Sequence, residues 1–359
     1  MARGAVGVGA RSMKHLRLIA FGLFAGFLAA ELGLRLFTPD GFWRHFDTAS
    51  PLQSGRWVSH PFLPYAGGPD KEVVLKNDDQ GIERIVTNSY GFRAHEFVEE
   101  KADGDYIILC FGGSTTYGYR VESNELTWPE LLEARLSERY PDRNVRAFNM
   151  GLDMATTAMS VVNMGLVGVH LEPDLVIVYH GYNDLAAIGA SNHRTDHAHF
   201  YGDLHAESVR RGYQSAVPGF LRNSYVVHLA TGALDRRGGV NDLAREVQRE
   251  RFSDTDRFKG MESTLQNLAT VGAMADGAGA DTLYSTFQFA DGQNPTYLEF
   301  NERLRAFFDE EGLDYVDQAA LLPDNDPAIN VDACHFTGEG RERLVENFHD
   351  RIVELGLLD

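Results

Sequence analysis

"LCFGGSTTYG", residues 109 to 118, closes an apolar run, Tyr106 to Phe111, and turns at once into two glycines, a serine, two threonines and a third glycine, Gly118. An apolar run that short, bounded by turn residues, reads as a buried strand entering a loop. Two chemistries use such a junction. A phosphate-cradling loop needs a Lys after its last glycine, and neither that Lys nor a G-x-G-x-x-G pattern is present. The other is a nucleophilic serine at a strand-to-helix turn. The G-x-S-x-G elbow is absent too, because Thr116 stands where its second glycine belongs. The stretch has to be judged by what the rest of the chain brings to it.

From Asp105 onward, strands and helices alternate. After Tyr106–Phe111, NVRAFNMG (144–151), DLVIVYHG (174–181) and DTLYSTFQF (281–289) read as strands, and DYVDQ (314–318) as a weak fifth. Helices are predicted over 127–139, 155–169, 296–312 and 338–356. In the first, Thr127 and Glu130 have capping-box spacing and Pro129 suits the first turn. In the last, Leu344, Phe348, Ile352 and Leu355 recur at helical spacing. This alternation predicts an α/β fold, a mostly parallel sheet wrapped by helices, with ligands gathered beyond the carboxyl ends of the strands. Strand one ends in Gly112, Gly113 and Ser114, strand two in Asn149, Met150 and Gly151, strand three in Gly181, Tyr182, Asn183 and Asp184. One crevice thereby gains a hydroxyl, a bare backbone amide and a carboxamide.

Those are the parts for attack on a carbonyl. A serine needs a base, the base needs an orienting carboxylate, and the tetrahedral oxyanion needs donors already in place. DACHFTG, residues 332 to 338, offers Asp332 and His335 three apart just before the last helix. That spacing on a turn lets a carboxylate reach the imidazole while the ring points at a hydroxyl.

GGST, N-x-G, GYND and D-x-x-H, in this order, resemble the four blocks of the SGNH (GDSL-like) hydrolases, over roughly residues 105 to 190 and 280 to 357. The resemblance implies a flavodoxin-like three-layer α/β/α sandwich and esterase or lipase chemistry without a cofactor or metal. It implies Ser114 as nucleophile, His335 as base, Asp332 as its orienting partner, and an oxyanion hole from the amides of Ser114 and Gly151 with the side chain of Asn183. Asp184 is expected to be structural, bonding loop amides. Gly113 departs from the pattern, since many members carry Asp there. The lead-in NSYGFRAHEF (88–97) and an apolar N-terminus resemble a membrane-anchored subset with a GGST nucleophile block.

At the N-terminus, Arg3, Arg11, Lys14 and Arg17 precede the uncharged run LIAFGLFAGFLAA (18–30), which resumes after Glu31 as LGL before Arg35. Leu18 to Leu34 makes about 26 Å of helix at ~1.5 Å per residue, the short end of a membrane span. A cleaved signal peptide, a buried or interfacial helix and an uncleaved signal anchor all compete here. Cleavage after Ala30 would leave Leu28 at a position that wants a small residue. An anchor fits the basic flank, which would hold the N-terminus in the cytoplasm and send the remaining chain across. The chain then divides into a cytoplasmic stub and signal-anchor helix (1–37), a loop-rich lead-in with a hairpin packed on the catalytic domain (38–104), and the catalytic domain (105–359) with an insertion at about 185–280. Within the insertion, GALDRRGGVNDL (232–243) reads as a mobile linker.

Composition excludes several classes. A net charge of -19 repels phosphate backbones and argues against nucleic acid. Two cysteines, Cys110 and Cys334, exclude a disulfide scaffold or a four-cysteine zinc site and read as buried free thiols. The run SNHRTDHAHFYGDLH (191–205) places His193, His197 and His199 near Asp196, a set that could ligate zinc. A solvated or substrate-rimming loop is the plainer reading, and no metal is expected. The expected function is a serine esterase acting outside the cytoplasm on acyl esters, O-acetyl included, of a glycan or lipid. The alternatives are an acyltransferase of the same fold acting on a cell-surface polysaccharide, and a catalytically silent glycan-binding domain.

Overall fold

The computed structural model describes residues 6–37, 56–58, 60–77, 81–98, 100–190, 192–201, 224–227 and 257–359. The linker read at 232–243 and the end of the His-rich run, including His205, lie outside the described residues. The described residues fall into two compact units: the N-terminal helix with 224–227, and the remainder.

The larger unit is built on one parallel sheet. Its strands are β5 (Asp105–Gly112), β6 (Asn144–Asn149), β7 (Leu175–Tyr179), β8 (Asp281–Ser285) and β9 (Tyr315–Val316), in the order β6-β5-β7-β8-β9. All pairings are parallel. Every residue of β7 and all but the first of β5 are buried, as near-continuous apolar strands must be when both faces are covered. The chain goes from β5 outward to β6, then returns to the other side of β5 for β7. That reversal is the switch point where an open α/β sheet leaves a crevice. The register levels the three strand ends there, since Cys110 pairs with Asn149 and Gly112 with Tyr179.

Helices α2 (Ser114–Tyr117), α3 (Trp128–Arg139), α4 (Thr157–Leu166), α5 (Tyr182–Ile188), α6 (Met261–Gly277), α7 (Pro295–Glu311) and α8 (Gly338–Leu355) follow in chain order. Val178 is paired with Tyr284, so Tyr179 points to the opposite face. The Tyr284 hydroxyl donates to the carbonyl of Leu268 in α6, and the Tyr179 ring meets Phe348 of α8 edge-on at 6.2 Å. These two helices therefore cover opposite faces. Trp128 of α3 stacks on the same Phe348 at 5.2 Å, which makes α3 and α8 one layer.

Several boundaries depart from expectation for physical reasons. The helix expected over 155–169 ends at Leu166, and a short 3-10 turn, Gly168–Leu171, follows Val167, which leaves helical geometry. The fourth strand stops at Ser285 rather than Phe289. Beyond it, side chains take over the backbone donors: Phe287 N–H donates to Asn301 Oδ1 at 2.9 Å and Gln288 N–H to the Tyr179 hydroxyl at 3.3 Å. The expected capping box does not form. Thr127 is the N-cap of α3, but its hydroxyl donates to Asn124 O at 2.8 Å and makes no cap bond. Within the stretch read as an insertion, α6 buries Met261, Leu268, Val271 and Ala275 in the core.

The lead-in supplies two antiparallel hairpins: β1 (Trp57–Val58) with β2 (Ala66–Gly67), and β3 (Glu72–Asn77) with β4 (Gly81–Val86). Arg93, fully buried, joins it to the nucleophile loop. Its guanidinium donates to Gly118 O at 2.6 Å, Val121 O at 2.9 Å and Asn124 Oδ1 at 3.1 Å, and pairs with buried Glu83 at 3.1 Å.

In the smaller unit, α1 (Val6–Phe37) contains Met13–Phe37, 25 residues of mean hydropathy 1.7, long and apolar enough to cross a membrane. Glu31 interrupts it with a charge that is well partnered. Its carboxylate accepts from Arg35 at 2.7 Å, from the Ser224 hydroxyl at 2.8 Å, and from the amides of Tyr225 and Val226 at 3.1 and 3.0 Å.

Candidate active site

Ser114 is the first residue of α2, directly after the β5 strand end, so its amide is one of the donors a helix N-terminus leaves without an intrahelical partner. The two preceding glycines are required by close approach. A Cβ on Gly112 would lie 2.0 Å from Thr116 Oγ1 and 2.6 Å from Tyr179 O. A Cβ on Gly113 would lie 2.7 Å from Asn183 Nδ2 and 3.1 Å from Ala155 O. At Gly113 the Asn183 carboxamide fills the space a side chain would need. After the short helix, Gly118 turns the chain with φ 86°, a left-handed conformation that glycine adopts without strain.

Ser114 Oγ lies 2.8 Å from His335 Nε2. The other ring nitrogen, Nδ1, lies 2.8 Å from both oxygens of Asp332. Asp332 Oδ1 also accepts the backbone N–H groups of Cys334 and His335, each at 3.0 Å. Burial pushes the Asp332 carboxyl up, but the His335 ring and those two amides outweigh it and hold it at about 2. An ionised Asp332 acceptor fixes the tautomer of His335, with the proton on Nδ1 and a lone pair on Nε2 facing the serine. Two further contacts brace the ring and its loop. The Thr115 hydroxyl donates to Cys334 O at 3.1 Å, and the Tyr119 ring lies 4.9 Å from the imidazole.

The second and third strand ends converge on the same place. Asn183 Nδ2 donates to Ala155 O at 3.0 Å, leaving the second N–H of that amide group for another acceptor. The amide of Gly151 donates to Asn149 Oδ1 at 3.0 Å, so it is not an open donor in this state. Asn149, fully buried, also donates to Thr116 O at 2.8 Å and so ties the second strand end to the nucleophile helix. It opens the N-x-G block, yet a role for it was not read from the sequence. Asp184 is buried and bonds not a loop amide but the first amide of α4, accepting from Thr157 N at 3.0 Å and from its hydroxyl at 2.6 Å.

Of the solvated or substrate-rimming loop expected for the His-rich run, the solvated reading fails at two histidines. His197 is fully buried and His199 nearly so. His197 bonds Thr156 Oγ1 at 2.9 Å and Ser263 Oγ at 3.1 Å, while His199 donates to Ala187 O at 2.8 Å and accepts from Arg194 N at 3.2 Å. His193 shares Ser263 Oγ at 3.1 Å. Both nitrogens of His197 and His199 are thus spent on hydrogen bonds, three of which join the run to the cap of α4, to α5 and to α6, while the fourth closes the run on itself. Cys110 and Cys334 are both buried and free.

Residues 110–225 match the family model of the GDSL-like lipase/acylhydrolases. No curated protein matches the chain. Among solved structures, a GDSL-like lipase from Bacteroides thetaiotaomicron is similar at 13% identity and a TM-score of 0.41, over 72% of this chain and 93% of that one. An acetylxylan esterase from Geobacillus stearothermophilus is similar at 14% identity and a TM-score of 0.43, over 69% and 94%. The family match spans the first three sequence blocks, and the chain carries a GDSL-like lipase/acylhydrolase domain and is a serine hydrolase of that kind.

Proposed function

We propose that this is a membrane-anchored serine esterase that removes acyl groups, O-acetyl among them, from a glycan or lipid outside the cytoplasm. The observation that carries the reading is the unbroken relay from Ser114 Oγ through His335 to Asp332, with 2.8 Å at each step. In this mechanism Ser114 Oγ attacks the ester carbonyl while His335 Nε2 takes its proton, and Asp332 stabilises the imidazolium. The carbonyl π electrons move to oxygen. The Ser114 amide and the second N–H of Asn183 meet that charge, and Gly151 joins them by sharing the hydrogen it gives Asn149. Collapse expels the alcohol, which takes the proton from His335 and leaves an acyl-serine. Water, deprotonated by the same ring, then releases the acid.

The basic residues before the apolar segment of α1 support a cytoplasmic N-terminus and an extracytoplasmic catalytic unit. The full chain in detergent, given p-nitrophenyl acetate and a panel of acetylated sugars, tests the reading. Release of free acid that is unchanged by added sugar hydroxyls is expected. Acyl transfer onto the sugar in place of release would make it a transferase.

A further inference from the structure

Glu130 has the spacing of a capping-box acid but turns away from the helix end. Its Oε2 lies 2.8 Å from His95 Nε2, in the lead-in. Glu133, one turn further along α3, joins them, and the three side chains present ligand atoms all within 4.8 Å of one another. Glu130 is 8% exposed, and its second oxygen is buried with no hydrogen-bond partner among the described residues. A buried carboxylate oxygen left without a donor costs stability, and a second carboxylate beside it adds repulsion. Arg146 stands close enough to act on Glu133 and His95 but makes no ion pair with either carboxylate among the described residues. One cation between the two carboxylates would satisfy both.

We propose that His95, Glu130 and Glu133 form a binding site for a divalent first-row cation of the Zn2+ or Mn2+ kind, which ties the lead-in to α3. One imidazole and two carboxylates suit borderline cations, whereas Ca2+ and Mg2+ take oxygen ligands alone. Glu133 is already oriented, because its Oε2 accepts Ala147 N–H of the edge strand β6 at 2.7 Å. The His95 side chain is 49% exposed, which gives the ion an entry path and room for bound water. Two bonds of about 2 Å at a tetrahedral angle set ligand atoms roughly 3.3 Å apart, so His95 and Glu130, now 2.8 Å apart, must open slightly, and rotation of that exposed ring supplies the movement. The Asp332, Cys334 and His335 group has similar spacing but belongs to the serine relay.

Tag-free full-length protein in detergent, stripped with chelator and then titrated with Zn2+ or Mn2+, tests this. Calorimetry should find one cation per chain, and the melting temperature should rise by roughly 5 °C at a hundredfold excess over Kd. Both effects should vanish in Glu130→Gln and His95→Ala and persist in His193→Ala. Should Glu130→Gln fail to fold, His95→Ala decides, since its ring is half exposed. Absence of stoichiometric uptake by the folded wild type, or uptake unchanged in the His95 variant, overturns the proposal.

Discussion

Gly113 bears no side chain because Asn183 occupies the space a Cβ would need. The pair therefore acts as a unit, and this gives a kinetic test. Asn183→Ala removes the donor proposed for the oxyanion and should lower kcat about a hundredfold, on the order of 3 kcal/mol, with little change in KM. Gly113→Ala should lower kcat by displacing the same carboxamide. The double variant should then be no worse than Asn183→Ala alone, since residues in contact are not additive. Steady-state kinetics on a chromogenic ester reads all three. Additive losses would mean that Gly113 acts on something other than Asn183. At this scale the sequence was legible in placement: Ser114, His335 and Asp332 stand within hydrogen-bonding reach in that order, and Asn183 lies against Gly113. It was silent where a side chain only holds others in place. Asn149 looks like any turn residue until its amide is seen to bond both Gly151 and Thr116.

Among elements, the His-rich run and the lead-in were the hardest to read, because a buried polar residue and a solvated one look alike in a sequence. Two of its histidines, His197 and His199, are buried and act as a clamp. Burial holds His193 down at about 4 and pushes His197 and His199 down as well, with neighbouring histidines adding to the effect on the first two and Arg194 on the third. A histidine depressed in the folded state binds its proton more readily when unfolded, so stability rises with pH. The clamp's contribution should be complete above about pH 6.5 and fade as pH falls toward 4. Urea midpoints across that window should fall with acid in wild type and flatten in His193→Gln. A flat wild-type profile would show that these rings are solvated. In the lead-in, Arg93 is the junction of β4, the Gly118 turn and Asn124. Arg93→Met should destabilise by about 3 kcal/mol or more, because it breaks a buried ion pair and the guanidinium's hydrogen bonds to the carbonyls of Gly118 and Val121. A loss under 1 kcal/mol in chemical denaturation would deny it that role.

For the whole molecule, the parallel sheet and the gathering of three strand ends were written in the alternation of apolar runs, and the structure adds the order β6-β5-β7-β8-β9. The core helix α6 was not legible, because its sequence, MESTLQNLATVGAMADG, spreads small residues around the helix and follows a long polar stretch. At the N-terminus, Glu31 appeared to spoil a span, yet its carboxylate is fully engaged by Arg35 and the 224–226 segment. The account predicts that this helix stays attached: intact mass from membrane fractions should retain residues 1–37, and a soluble chain beginning near Glu31 would refute an anchor. The central claim, that Ser114 is a nucleophile activated by His335, has a direct measurement of its own. After exposure to a serine-reactive phosphonate, peptide mass analysis should place one adduct on Ser114 in wild type, with none in His335→Ala or Ser114→Ala, and ester turnover should vanish in both variants. A folded Ser114→Ala protein that still takes the label and turns over ester near the wild-type rate would contradict it.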